Sequence, residues 1–238
     1  MQRGMINGAL GLAAVGVPVV GILTSLSGLP EYNPRLRFIS ELAVPWNPSA
    51  DRVNESFMIG GVLLALFAIA VATTPGAVRD RAARVSCAAA GLTGLALIMV
   101  GAFPLTRPVP HLVAALILGI GAITAAIASS RVVRRAARAR PQRGGLVLAH
   151  AVTLAMWSLA AMVLAGIGYF VVVCTRAGVG SMDELFRVLP HHLPMQIGGT
   201  WYNPLAVLEW GFFAVLSIML LGAALAESTG TAARLRGR

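Results

Sequence analysis

The chain has 238 residues, of which 57% are hydrophobic and only 12% are charged. Soluble domains carry about 25% charged residues, and a soluble fold of this length cannot bury so much apolar surface. High hydropathy excludes a disordered chain, and the presence of only two cysteines excludes a disulfide scaffold. The fold class that remains is an all-α, polytopic integral membrane protein.

Six segments are long and apolar enough to cross a bilayer, whose core needs roughly 20 helical residues. The predicted spans are 5–26, 56–74, 85–103, 111–129, 146–173 and 204–226, and none has a charged residue at its centre. The connecting segments are too short for an independent core. We therefore expect one domain over residues 1–238, a six-helix bundle with short interfacial helices on one face.

The basic residues, all 19 of them arginines, are distributed unevenly between the two sides of this bundle. The side with the N-terminus, segments 75–84 and 131–143, and the C-terminal tail has thirteen arginines and two acids. The opposite side has six arginines and seven acids. The positive-inside rule then places both termini in the cytoplasm of a multi-pass cell-membrane protein. We attribute the net charge of +10 to arginines in the cytoplasmic loops of a membrane protein, and we expect no binding to nucleic acid.

The densest basic run extends from Arg131 to Arg143. Besides setting topology, it is expected to contact anionic lipid headgroups, at about 1 kcal/mol per arginine near the surface. Small residues are frequent in the helices and predict close packing within the bundle. Whether the chain forms a homo-oligomer or binds a membrane partner stays open.

Two short helices are predicted on the side rich in acids. Asn33 and Pro34 are typical of a helix start and predict a helix to about Leu42. Ser181 and Glu184 form a capping-box pattern in the last loop. Aromatic residues that we expect to be interfacial anchors lie at the same level: Tyr32, Trp46, Trp201 and Tyr202.

Glu209 is the strongest candidate for a functional residue. Asn203 predicts the start of the last span, which places Glu209 about 8 Å along the helix axis. A carboxylate at that depth is costly and normally faces the bundle interior or a water-filled cavity. Its candidate partners are Arg107, His111 and Arg187.

His111, Glu41 and Asn54 are further candidates. His111 opens the fourth span and could be a ligand, a proton carrier or the partner of Glu209. Glu41 lies one turn from Arg37, and an exposed ion pair is its simpler explanation. Asn54 is most simply the N-cap of the second span.

Motifs of known chemistry are absent from the sequence. There is no His-Glu-x-x-His, no Gly-x-Ser-x-Gly, no P-loop and no dinucleotide fingerprint, so no cofactor is expected. The adjacent His191 and His192 would diverge on a helix and lack the spacing of a strong zinc site.

Several short motifs, taken in chain order, point to a known family. They are Pro30-Glu31-Tyr32-Asn33-Pro34, Phe38-Ile39-Ser40-Glu41-Leu42, Asn54, Gly60-Gly61, and Gly101-Ala102-Phe103-Pro104 before His111. With them the chain resembles the domain-of-unknown-function 998 family of small bacterial and archaeal membrane proteins. Leu208-Glu209-Trp210 also looks like the wider Frag/DRAM/Sfk group, whose members are associated with lipid remodelling, lipid asymmetry or membrane trafficking. Residues 183–196 match no pattern of the family.

The resemblance implies a six-helix membrane protein with a lipid-related role. By position, it implies the site residues Ser40, Glu41, His111, Glu209 and Trp210, to which the residues themselves add Arg107 and Asn54. Three functions stay open. The one we favour is a protein that binds a lipid headgroup, or supports a lipid-modifying partner, at an outward-facing cavity. Its expected lining is Glu41, His111, Glu209 and Trp210. The others are an intramembrane lipid hydrolase or transferase with a metal near His111, and a structural subunit without a ligand.

Overall fold

The computed structural model describes residues 2–139, 143–178, 195–197 and 200–228. The α-helices are α1 (Gln2–Ser27), α2 (Ala50–Ala72), α3 (Pro75–Arg79), α4 (Arg81–Ala102), α5 (Pro108–Ala139), α6 (Arg143–Ala177) and α7 (Pro204–Ser228). A 3₁₀ helix covers Ile39–Ala43. Two short antiparallel strands, β1 (Met195–Ile197) and β2 (Thr200–Tyr202), precede α7. Apart from this strand pair, all regular secondary structure in the described residues is helical, which confirms the predicted class.

Six of these helices are long and apolar enough to cross a membrane, and α3 is a short connector. They correspond one to one with the six predicted spans, so the chain is a multi-pass membrane protein. The largest change at a helix start is in α2, which begins at Ala50 rather than at residue 56. The earlier start follows from Asn47, whose carbonyl oxygen accepts the N–H of Ala50 and whose Oδ1 accepts that of Ser49.

The six spanning helices form a closed ring. Each of α1, α2, α4, α5, α6 and α7 packs on the next, and α7 returns to pack on α1. The contact between α2 and α4 is especially close at Gly61 and Gly94. A Cβ added to Gly61 would lie 2.5 Å from the carbonyl oxygen of Gly94, and one added to Gly94 would lie 2.6 Å from that of Gly61. The missing side chains let the two helix backbones touch.

The cap segment, residues 30–44 between α1 and α2, folds against the end of the ring. Asn33 begins a single turn: its Oδ1 accepts the N–H of Arg35, and its carbonyl oxygen accepts the N–H groups of Leu36 and Arg37. The turn does not continue into the predicted helix. Helical structure begins only at Ile39, and it is 3₁₀ rather than α. The prediction of a helix from Asn33 to Leu42 is therefore wrong.

Hydrogen bonds from α7 explain this difference. The carbonyl oxygens of Arg35, Leu36 and Arg37 accept from Asn203 and Trp210, at or near the start of α7. An α-helix through the cap segment would need the same carbonyls for its own i to i+4 bonds. Tertiary contacts therefore replace local helix formation here.

Some predictions fall outside the described residues. They include the capping box of Ser181 and Glu184, the His191-His192 pair and the candidate partner Arg187. Within the arginine run, the side chain of Arg134 donates to the carbonyl oxygen and the hydroxyl of Ser130, at 3.4 and 3.1 Å. The contact of this run with lipid headgroups stays a prediction.

Candidate functional site

A slender cavity of about 280 Å³ lies inside the ring. Every spanning helix contributes to its wall, together with Ile39 of the cap segment. Because it is lined by α7 residues from Leu205 to Leu220, it extends about 22 Å along that helix. Most of the wall is aliphatic or aromatic, and the polar side chains on it are Thr93, His111, Glu209 and Ser217. The space is therefore an apolar channel with Glu209 and His111 at the end near the cap segment.

The start of α7 holds the cap segment in place. Asn203 caps α7 as predicted, since its Oδ1 accepts the N–H groups of the next turn, at 3.2 and 3.4 Å. Its own N–H donates to the carbonyl oxygen of Arg35 at 2.7 Å, and its Nδ2 donates to that of Leu36 at 3.3 Å. Trp210 Nε1 donates to the carbonyl oxygen of Arg37 at 3.1 Å. Three successive carbonyls of the cap segment are thus bound to α7.

Glu209 completes this connection from inside the ring. Its Oε2 accepts the N–H of Ile39 at 2.9 Å, and the N–H and hydroxyl of Ser40 interact with the same carboxylate. These are the first residues of the 3₁₀ helix, whose N–H groups have no partner within the helix. The carboxylate therefore caps that helix from a distant part of the chain. It also borders the cavity, as the sequence predicts for an acid at this depth in a membrane helix.

His111 lies in the first turn of α5 and is only 7% exposed. Its Nδ1 is 2.8 Å from the carbonyl oxygen of Phe103. Because a carbonyl only accepts, Nδ1 carries a proton, and in the neutral ring Nε2 is then an acceptor. No described residue is hydrogen-bonded to Nε2. His111 shares the cavity with Glu209, but the partners of Glu209 in the described residues are Ile39 and Ser40 instead.

Two of the side chains predicted to line the cavity, Glu41 and Trp210, are not on its wall, and neither is Arg107. Arg107 is exposed and forms no ion pair with an acid of the described chain, so its predicted pairing with Glu209 is wrong. Glu41 Oε2 lies 3.7 Å from the guanidinium of Arg37, and its Oε1 accepts the N–H of Phe38 at 3.1 Å. Burial raises the pKa of Glu41, while the N–H of Phe38 and the charge of Arg37 oppose that rise.

Asn54 has a different role from the predicted one. Because α2 begins at Ala50, Asn54 lies inside the helix and cannot be its N-cap. Its Nδ2 donates to the carbonyl oxygen of Ala43 at 3.1 Å, which ties α2 to the end of the 3₁₀ helix. Its Oδ1 is buried and has no hydrogen-bond partner among the described residues.

Tyr32 and Asn47 also form the site, and no sequence pattern indicates this role for either residue. The ring of Tyr32 packs edge-on against Trp210, with 6.3 Å between centroids, and its hydroxyl donates to the carbonyl oxygens of Phe38 and Arg37. Asn47 Nδ2 donates to Ser25 Oγ at 2.7 Å inside the cap region. The sequence predicts Tyr32 as an interfacial anchor. An aromatic residue in a loop has the same sequence pattern whether it lies at the lipid interface or packs within the protein.

A comparison with protein families identifies the fold family. The model of the family described as "Protein of unknown function (DUF998)" matches residues 12–182, which is more than half of the chain. The chain belongs to the DUF998 family. The matched stretch contains the cap segment and His111 but ends before α7, so Glu209 and Trp210 lie outside it. No curated protein and no solved structure matches the chain. The likeness to the Frag/DRAM/Sfk group stays an expectation.

The described part of this DUF998 chain contains no group of side chains suited to bind a metal ion. No three histidine, cysteine, aspartate or glutamate side chains there are grouped closely enough to hold a metal ion. The metal-dependent hydrolase or transferase needed His111 together with carboxylates, but Glu41 is bound to Arg37 outside the cavity wall. That alternative therefore has no ligand set among these residues.

We expect Tyr32 to make the cap segment of this DUF998 protein sensitive to high pH. Burial, together with the nearby carboxylates of Glu209 and Glu41, raises the pKa of Tyr32 above its ordinary value of about 10. Because the folded-state value is the higher one, the tyrosine's contribution is complete below about pH 10 and is lost as the pH rises further. We expect the melting temperature to fall above about pH 10, and less steeply in Tyr32→Phe. Equal slopes in the two proteins would contradict this role.

Proposed function

We propose that the protein binds one chain of a lipid or other amphiphile in the cavity, with the head at Glu209 and His111. The observation that supports the proposal is the cavity itself, which is apolar along the ring and polar at one end. An apolar space within a membrane favours hydrocarbon over water. Its volume of about 280 Å³ is close to the lower limit of small-molecule pockets, which suits one slender chain.

The cavity also favours a ligand over a purely structural role. Protein interiors are close-packed, and the few voids that they contain are rarely much larger than a water molecule. A subunit that only filled space in the membrane would be expected to close the ring with side chains. Here the small residues Ala115, Gly119 and Gly166 line the cavity and keep it open.

Filling the cavity tests the proposal. In Gly166→Leu the new side chain enters the cavity, since a Cβ at Gly166 lies 3.8 Å from Leu205 and Leu208, without overlap. We expect the amount of lipid that remains bound during purification to fall about tenfold or more, because the site loses the volume of the chain. Native mass spectrometry of the protein in a mild detergent measures the bound fraction directly.

Gly168→Leu is the matched control for this experiment. Gly168 lies two residues further along α6, where an added Cβ meets nothing within 4 Å. Both variants replace glycine by leucine in the same helix, so the change in helix propensity is the same. Lipid retained equally by both variants, or absent from the unmodified protein in several mild detergents, would overturn the proposal.

The orientation proposed here places the Glu209 end of the cavity on the outer side of the cell membrane, with both termini in the cytoplasm. The support is the distribution of arginine, thirteen residues on the side of the termini and six on the other. A C-terminal fusion to alkaline phosphatase, which is active only outside the cytoplasm, is expected to be inactive. A fusion to green fluorescent protein is expected to fluoresce. The reverse pair of results would contradict this orientation.

A further inference from the structure

We infer that the cavity selects an amphiphile whose head group is an ammonium ion, an inference that rests on the proposed function. The polar end of the cavity presents hydrogen-bond acceptors. Glu209 offers carboxyl oxygens, which only accept when the group is ionised, and His111 in its neutral form offers Nε2 because Nδ1 donates to Phe103. A head group that fits this end must donate hydrogen bonds, as an ammonium or a hydroxyl group does.

Charge distinguishes between these two donors. Glu209 is bound by the N–H of Ile39 and by Ser40, which are neutral donors. No arginine or histidine of the described chain forms an ion pair with it. A carboxylate within a membrane normally has a cationic partner or faces water. A bound ammonium group would supply the countercharge that these residues do not provide.

The arginines of the cap region do not offer an alternative site for an anionic head inside the cavity. Arg37 is paired with Glu41 and lies 5.1 Å from the ring centre of Trp46. Arg35 lies 5.8 Å from the ring centre of Tyr202. Neither arginine borders the cavity, and Arg107 is exposed. Among the described residues, a phosphate or carboxylate head at this end would therefore meet the Glu209 carboxylate without a cation beside it, which disfavours anionic amphiphiles.

The test compares three probes with the same alkyl chain: a primary amine, a primary alcohol and a carboxylate. Binding to the purified, delipidated protein is measured by the rise in melting temperature across a concentration series. We expect the amine to bind at least about tenfold more tightly than the alcohol, because its hydrogen bond to the carboxylate is charge-assisted. The carboxylate probe is expected to bind most weakly.

Two variants test whether Glu209 determines the selectivity for the amine. Glu209→Gln keeps an oxygen acceptor for Ile39 and nearly the same shape, but it removes the charge. The ratio of amine to alcohol affinity is expected to fall to about one. Glu41→Gln is the control, since it removes a charge one 3₁₀ turn from the same site and leaves the cavity wall unchanged. It is expected to keep the ratio of the unmodified protein.

The outcomes separate this inference from the proposed function. If the probes bind but the alcohol or the carboxylate equals the amine, the ammonium inference fails and the cavity remains a chain-binding site. If none of the probes binds and no lipid is retained, the proposed function fails as well. A lysophospholipid with an ethanolamine head extends the series. Tighter binding than the simple amine would assign the ammonium group to a phospholipid, and weaker binding would assign it to a free long-chain amine.

Discussion

Gly61→Ala is expected to lower the free energy of unfolding by about 3 kcal/mol. The new methyl group would lie 2.5 Å from the carbonyl oxygen of Gly94 and 2.8 Å from the backbone nitrogen of Ile98. These neighbours belong to the backbone of α4 and cannot rotate away, so α2 and α4 must separate. The separation would weaken packing along both helices and distort the ring around the cavity. Thermal or denaturant unfolding of the purified protein in detergent measures the loss.

Gly168→Ala provides the control for this prediction. It places the same methyl group in a transmembrane helix, at a site where nothing lies within 4 Å. Since alanine has a higher helix propensity than glycine, this variant is expected to be as stable as the unmodified protein or slightly more stable. Equal stability of the two alanine variants would contradict the close approach of α2 and α4 at Gly61.

Glu209→Ala is expected to lower the free energy of unfolding by about 3 kcal/mol and to loosen the cap segment. Without the carboxylate, the N–H of Ile39 and the N–H and hydroxyl of Ser40 lose a shared acceptor. A buried donor left without a partner costs about 1 to 3 kcal/mol. Amide hydrogen exchange in residues 38–43 should accelerate, while exchange in α4 should change little.

Glu209→Gln separates this capping role from the charge of the residue. The amide oxygen of glutamine can still accept from Ile39, so we expect a loss of about 1 kcal/mol and nearly unchanged exchange in the cap segment. The same variant is expected to lose selectivity for an ammonium head. If alanine and glutamine destabilise the cap segment equally, the hydrogen bond to Ile39 is not what holds it.

The spanning helices follow from the sequence because hydrophobic length alone determines them. The six apolar runs correspond to the six helices, and Asn203 marks the start of α7 because an N-cap depends on local hydrogen bonds. The depth and inward direction of Glu209 could also be predicted, since a lipid-facing carboxylate is too costly. Each of these features depends on one segment of the chain and on whether water or lipid surrounds it.

The partners of Glu209 could not be predicted in the same way. They include main-chain N–H groups of the cap segment, and every non-proline residue has such a group, so no side-chain pattern indicates them. The same long-range bonds remove the carbonyls that a helix from Asn33 would need. A polar cavity at His111 and Glu209 could be expected from the sequence, but its long apolar part could not, because that part depends on how six helices leave space between them.

An experimental density map of the protein, purified in a mild detergent with its native lipid, tests the central claim most directly. We predict one unbranched density inside the ring, running beside α7 from Leu220 toward Leu205, with its head within hydrogen-bonding distance of Glu209. A ring whose helices close on each other without a cavity would contradict the claim. So would a bound chain whose head lies at the opposite end, away from Glu209 and His111.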